Sequence, residues 1–149
     1  KRILLREEPL VLAVHQSHPL AQQTSVTLAE IEQQPLFVYP NTQGANFAHQ
    51  VQAIFAEHAL TPKNIKVVRE IQLALGLVAA SEGVCIVPQS AKSIQLAHVH
   101  YIPITDHDAV SPVFMAVRQL DQDEDLRALF DCIYQVYDLE AIKYERKVF

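Results

Sequence analysis

Apolar residues recur along this chain in two rhythms. Short apolar-rich runs at residues 10–14, 35–39, 65–68, 84–87, 99–104 and 113–117 predict strands, of which 10–14 and 84–87 read as covered on both faces. A recurrence near 3.6 residues predicts helices. Phe47, Val51, Ile54 and Phe55 place one over residues 47–58, and Leu126, Leu129, Phe130, Ile133 and Tyr137 place another over 123–137. Asp121, Asp123, Glu124 and Asp125 gather at the start of the second, where the helix dipole favours negative charge. Thr27 and Glu30 have capping-box spacing and predict a short helix that turns Leu28 and Ile31 inward. Residues 90–96 predict one more helical turn.

The stretch REIQLALGLVAASEGVCIVP, residues 69–88, organises the rest. Ile71, Leu73, Leu75, Leu77 and Val78 leave no wide polar face, which predicts an enclosed helix. Gly83 suits a left-handed residue after the last turn. Val84-Cys85-Ile86-Val87 then reads as a buried strand. A helix followed by a buried strand is half of a strand–helix–strand unit. The fold class is therefore α/β, with a parallel-rich sheet and helices on both sides. The charged tail at 143–147 is expected to fray.

Composition narrows the function classes. Half of the 149 residues are apolar, enough for a sizeable core. A net charge of −5, with Lys and Arg scattered, argues against a basic face that grips nucleic acid. No run has the length of a membrane span, and the opening KRILLREEPL does not read as a signal peptide. Cys85 and Cys132 are far apart and read as free thiols in a reducing cytoplasm, with a disulfide between them as the alternative.

The strongest binding signal is the loop Asn41-Thr42-Gln43-Gly44-Ala45-Asn46. It leaves the carboxyl end of a buried strand and opens a helix whose free N–H groups favour an anion. An ordinary strand-to-helix loop has the same composition, and no GxGxxG or P-loop spacing is present. Arg6 with Glu8 could grip a carboxylate in two-pronged fashion, or form a solvated surface pair. Arg69-Glu70 has the same ambiguity. His15 and His18, or His98 and His100, lack a third ligand at a recognisable spacing, so no metal is expected. Cys85 sits mid-strand among apolar neighbours, where a thiol is inert, and no GxSxG elbow or carboxylate pair nominates a catalytic centre. Phe47, Phe55, Phe130 and Tyr134 read as core, although Phe47 directly follows the candidate loop, and Tyr137 could offer its hydroxyl to a site.

The central stretch, with EEPLVLAVHQSHPLA upstream and FMAVRQ downstream, resembles the effector-binding domain of LysR-type transcriptional regulators across nearly the whole chain. Within that family it is most similar to regulators of aromatic-compound degradation that respond to cis,cis-muconate and benzoate. That match is carried by KRILLR with Glu8, Tyr39-Pro40, Asn46-Phe47, REIQLALGLVAA at 69–80 and SIQL at 93–96.

The resemblance implies a periplasmic-binding-protein-like fold of two subdomains joined by crossing strands. Residues 1–14 would end the first subdomain and supply one crossover, 15–112 would form the second, and 113–149 would cross back. The first subdomain would be incomplete here, and the DNA-binding winged helix-turn-helix would lie outside this chain. The resemblance further implies an effector cleft at Ala45, Asn46 and Phe47, to which Thr42 adds a side-chain donor and Gly44 close backbone approach, and a second pocket at Leu5, Arg6, Glu8 and Tyr137. It makes Glu70 an interdomain switch residue. The loop departs from the muconate regulators, which carry a more serine- and proline-rich segment there.

The implied function is a cytoplasmic, homodimeric or homotetrameric sensor, not an enzyme, with no cofactor. It would bind a small aromatic-pathway carboxylate and reposition DNA-binding domains on promoter DNA. A free-standing solute-binding protein, a small cytosolic α/β enzyme and an assembly fragment with no ligand of its own are the rival readings.

Overall fold

In a computed structural model of the chain, residues 1–40, 46–118 and 124–147 are described. The chain forms two compact units, one of residues 9–111 and one of residues 1–8 with 112–149. The strand β1 (Arg2–His15) contributes its later residues to the first and its opening residues to the second.

In the larger unit the strands run β3-β2-β4-β1-β5, with β2 (Leu36–Val38), β3 (Ile65–Val67), β4 (Val84–Pro88) and β5 (Val99–Pro103). β2 is parallel to both β3 and β4, as its helical connections require. β1 runs antiparallel to both of its neighbours, β4 and β5, through registers such as Leu12↔Ile86 and Leu12↔Ile102, so β5 points the same way as β2, β3 and β4 and the sheet is mixed. Strand β1 begins earlier than its apolar run, because Ile3 and Leu5, two apart, are buried beside the more exposed Arg2 and Leu4.

Helix α1 (Leu28–Glu32) begins at the expected capping box. Thr27 Oγ1 accepts from Glu30 N at 3.2 Å, and Glu30 Oε1 accepts from Thr27 N at 3.1 Å. Helix α2 (Phe47–Glu57) connects β2 to its neighbour β3, and α3 (Ile71–Ala79) carries the chain from β3 past β2 to β4. The two connections run in opposite directions along the sheet. Right-handed crossovers therefore put α2 and α3 on opposite faces. The core joins Leu12, Ala13, Val14, Leu28, Ile31, Val51, Phe55, Leu75, Val78 and all four residues of the run Val84–Val87.

Helix α3 is not enclosed. Ala74, Leu75 and Val78 are buried, but Gln72, Leu73 and Gly76 face outward, and Leu73 is 47% exposed. An apolar composition all round a helix does not say which stripe the sheet will cover. The left-handed residue after this helix is Ser81 (φ 61°), not Gly83. Ser81 N donates to Val78 O and Glu82 N to Leu77 O, the two bonds of a Schellman ending. Gly83 is needed for close approach instead, because a Cβ there would stand 2.6 Å from Pro35 O and 2.8 Å from the Phe37 ring.

The smaller unit holds the start of β1, β6 (Val110–Ala116) from Pro112 onward and α4 (Glu124–Leu139). Its core joins Ile3, Leu5, Phe130 and Tyr134, with Val113, Met115, Leu126, Tyr137 and Tyr144 against them. Leu129, expected on the inward face, is 47% exposed; the buried stripe is centred on Phe130 and Tyr134. The tail does not fray. Ala141 (φ 53°) reverses the chain, and Tyr144, Arg146 and Lys147 fold back on α4. The aspartates expected at positions 121 and 123 lie outside the described residues.

Candidate functional site

The carboxyl ends of β2, β3 and β4 converge on one groove. Tyr39 and Pro40 follow β2, Arg69, Glu70 and Ile71 follow β3, and Pro88, Ser90, Ala91, Ser93 and Ile94 close β4. The groove holds about 850 Å³. It sits between the parallel strands β2 and β4, whose outgoing connections leave in opposite directions along the sheet, the place at which open α/β sheets hold ligands. Glu70 occupies the N-cap position of α3 with extended backbone, and its carboxylate accepts no capping bond. It is exposed toward solvent at the positive end of that helix.

Of the loop residues named from the sequence, Thr42, Gly44 and Ala45 lie outside the described residues. Asn46 is the N-cap of α2, and its Oδ1 accepts from His49 N at 3.3 Å. Phe47 is 7% exposed and stacks on Tyr39, with ring centroids 5.0 Å apart. Phe47 is thus both core and neighbour of the groove, through a tyrosine whose position at a strand end gave no periodic signal. Ser90 and Ser93 were equally hidden, as two small polar residues of a 3-10 turn (Gln89–Ser93).

The second group assembles within the smaller unit. Leu5 is 9% exposed and Glu8 8%. Arg6 Nη2 lies 3.6 Å from Glu8 Oε2, and its Cζ stands 5.2 Å from the centroid of the Tyr137 ring. The guanidinium is therefore no solvated surface cation: its side chain is 18% exposed, and its Nε is buried without a hydrogen-bond partner among the described residues. A buried guanidinium N–H without an acceptor costs free energy that an anionic oxygen would recover. Arg6 also offers a planar fork that matches a carboxylate. Charge, fork and aromatic wall together suit a carboxylate attached to an apolar body.

The histidines have structural uses. His18 Nδ1 accepts from Leu20 N at 3.0 Å, and His15 and His98 stack at 5.8 Å. Among the described residues no group of three His, Cys, Asp or Glu could hold a metal ion. Both cysteines are free, and burial pushes the Cys85 thiol up to about 12. No helix among the described residues is long and apolar enough to cross a membrane.

This arrangement has counterparts among known proteins. The family model described as "LysR substrate binding domain" matches residues 1–138. The chain belongs to that family. As a LysR substrate-binding domain it is 44% identical over 95% of its length to the HTH-type transcriptional regulator BenM of Acinetobacter baylyi. It is 38% identical over 91% to a probable cat1 operon transcriptional activator of Acinetobacter lwoffii. The alignments cover 47% and 45% of those proteins, so the chain spans about half their length. A solved structure of the BenM effector-binding domain with its effector benzoate superposes with a TM-score of 0.92 at 42% identity, over 100% of this chain and 68% of that one. The periplasmic-binding-protein-like α/β architecture expected from the sequence is therefore the LysR effector-domain fold.

Proposed function

We propose that this chain is the effector-sensing part of a LysR-type transcriptional regulator of aromatic-compound degradation, binding a small carboxylate such as benzoate or cis,cis-muconate. The observation that carries the reading is Arg6: a buried guanidinium Nε without an acceptor among the described residues, beside Glu8 and against the Tyr137 ring. An aromatic carboxylate supplies both missing halves, an anionic oxygen and a flat apolar body. The benzoate named with the BenM effector domain supports the same ligand class.

Leu5, Arg6, Glu8 and Tyr137 would form a benzoate pocket. Thr42, Gly44, Ala45, Asn46 and Phe47 would form a cleft for the dicarboxylate. In this reading residues 1–14 and 113–149 belong to one subdomain with its crossovers, and 15–112 to the other. Glu70 acts as the interdomain switch. Effector occupancy shifts an existing equilibrium in a cytoplasmic homodimer or homotetramer, and DNA-binding domains outside this chain report it on promoter DNA. The protein senses its ligand without transforming it.

Calorimetric titration of the intact protein with each carboxylate tests the reading. Saturable binding of benzoate that Arg6→Ala weakens, and of muconate that Phe47→Ala weakens, is expected. Chemical conversion of either compound on incubation would return the chain to the enzymes.

A further inference from the structure

Past the last matched residue, 138, the chain reverses and lays an aromatic side chain against the proposed pocket wall. Ala141, left-handed at φ 53°, permits the turn: its N donates to Asp138 O, and Ile142 N donates to Tyr137 O at 2.8 Å. Tyr144 then stacks flat on Tyr134, with centroids 4.8 Å apart and 7° between the planes. It also meets the Tyr137 ring at 5.4 Å and 56°. Its hydroxyl donates to Asp138 Oδ1 at 3.0 Å. The following residues fasten this arrangement. Arg146 pairs with Asp131 and lies over the Tyr134 ring at 5.3 Å, and Lys147 N donates to the Tyr134 hydroxyl at 3.1 Å.

Tyr137 is therefore held between two partners, Arg6 at 5.2 Å and Tyr144 at 5.4 Å. Tyr137 projects from the last full turn of α4, and a half-buried ring there has room to change rotamer unless something packs beside it. We infer that Tyr144 is a positioning residue for the carboxylate pocket, fixing the Tyr137 ring against the Arg6 guanidinium. The inference rests on the pocket proposed above. A held ring keeps the guanidinium plane oriented, so the ligand spends less of its binding free energy on ordering the site. Tyr144 touches Arg6 only through Tyr137, and its contribution is to the ring rather than through its own hydroxyl.

The test is benzoate calorimetry on the intact protein and on Arg6→Ala, Tyr144→Leu and Tyr144→Phe, with thermal unfolding of each measured without ligand. Tyr144→Leu should weaken benzoate binding about tenfold at temperatures where the variant is fully folded. Tyr144→Phe, which keeps the ring and loses the bond to Asp138, should restore most of the affinity. If Tyr144→Leu does not fold, Tyr144→Met, which removes the flat ring but fills more of its volume, stands in and should weaken binding by a similar factor. Loss of binding in Arg6→Ala with wild-type affinity in Tyr144→Leu, or in Tyr144→Met where that variant stands in, overturns the role of Tyr144 alone. Binding that Arg6→Ala leaves intact, or no benzoate binding by the parent protein, overturns the pocket and the role of Tyr144 with it.

Discussion

Arg6 stands over the Tyr137 ring at 5.2 Å while its Nη2 lies 3.6 Å from Glu8. The two contacts ask different things of the side chain. The ion pair needs a positive charge, whereas the ring contact and a two-pronged grip need a planar guanidinium. Arg6→Lys keeps the charge and loses the plane, so benzoate affinity should fall about tenfold with little change in melting temperature. Arg6→Met also removes the charge beside a carboxylate that is only 8% exposed. It should lower affinity further, about 100-fold, and destabilise the fold by roughly 1–3 kcal/mol. Calorimetry and urea unfolding of the two variants separate these effects. Equal losses from both would show that the guanidinium plane, and not the charge, carries the binding.

Two glycines should respond in opposite directions to the same added methyl group. At Gly83 a Cβ would meet Pro35 O at 2.6 Å and the Phe37 ring at 2.8 Å, and neither the backbone of that turn nor a buried ring can give way cheaply. Gly83→Ala should cost about 1–3 kcal/mol. At Gly76, on the outward face of α3, nothing among the described residues lies within 4 Å of an added Cβ. Gly76→Ala should raise stability by up to about 1 kcal/mol, because alanine loses less backbone entropy on entering a helix. Urea midpoints of the two variants give the answer directly.

The same stretch marks the limit of what residue order reveals. The buried strand after Gly83 was legible because four consecutive apolar residues suit only a position covered on both faces, and all four are buried. Glycine's reason for being there was not, since a close approach by Pro35 is a long-range contact that no local spacing reports. The capping box at Thr27 and Glu30 was legible for the opposite reason: both of its bonds are made within four residues. The pocket group divides along this line. Arg6 and Glu8 stand two apart on one strand and were nominated together on spacing, but Tyr137 entered as their neighbour only by resemblance. Tyr144 gave no sign of its docking, because it follows a helix end in a charged segment and owes its place to rings 7 and 10 residues earlier. The exposed side of α3 was hidden by composition, as Leu73 and Leu75 are the same residue with opposite surroundings.

The two cysteines should differ sharply toward alkylating reagents. Cys85 is fully buried in β4, and loss of solvation holds its thiol up to about 12, so almost no thiolate exists near neutrality. Cys132 is exposed on α4. At pH 8 the folded protein should take up one equivalent of iodoacetamide rapidly at Cys132, and the second only after unfolding. The same burial has a consequence for stability. The folded pKa lies above the ordinary value of 9.0, so the unfolded chain ionises first as pH rises. The contribution of this thiol is fully present below pH 9 and fades between 9 and about 12. Cys85→Ala should remove that alkaline component while lowering stability at neutral pH through the small cavity it leaves.

At the end of α2 the His58 ring lies between two aspartates, with Nε2 2.7 Å from Asp108 Oδ2 and Nδ1 3.8 Å from Asp106 Oδ2. Asp106 has a further task, since its Oδ1 accepts from Leu28 N at 2.8 Å and so tethers the start of α1. The hydrogen bond from His58, with a smaller contribution from the charge of His107, pulls the Asp108 carboxyl below its ordinary value of 3.8. A depressed folded pKa means that the unfolded chain binds the proton first. The stabilisation from Asp108 is therefore present above pH 3.8 and is lost as pH falls through the lower, folded value. Asp108→Asn keeps the shape and removes the titration. The stability difference between parent and variant should hold steady from about pH 5 to pH 4.5 and shrink steadily below 3.8. Acid unfolding followed by circular dichroism reads it, and a difference that widened on acidification would mean that Asp108 opposes the fold.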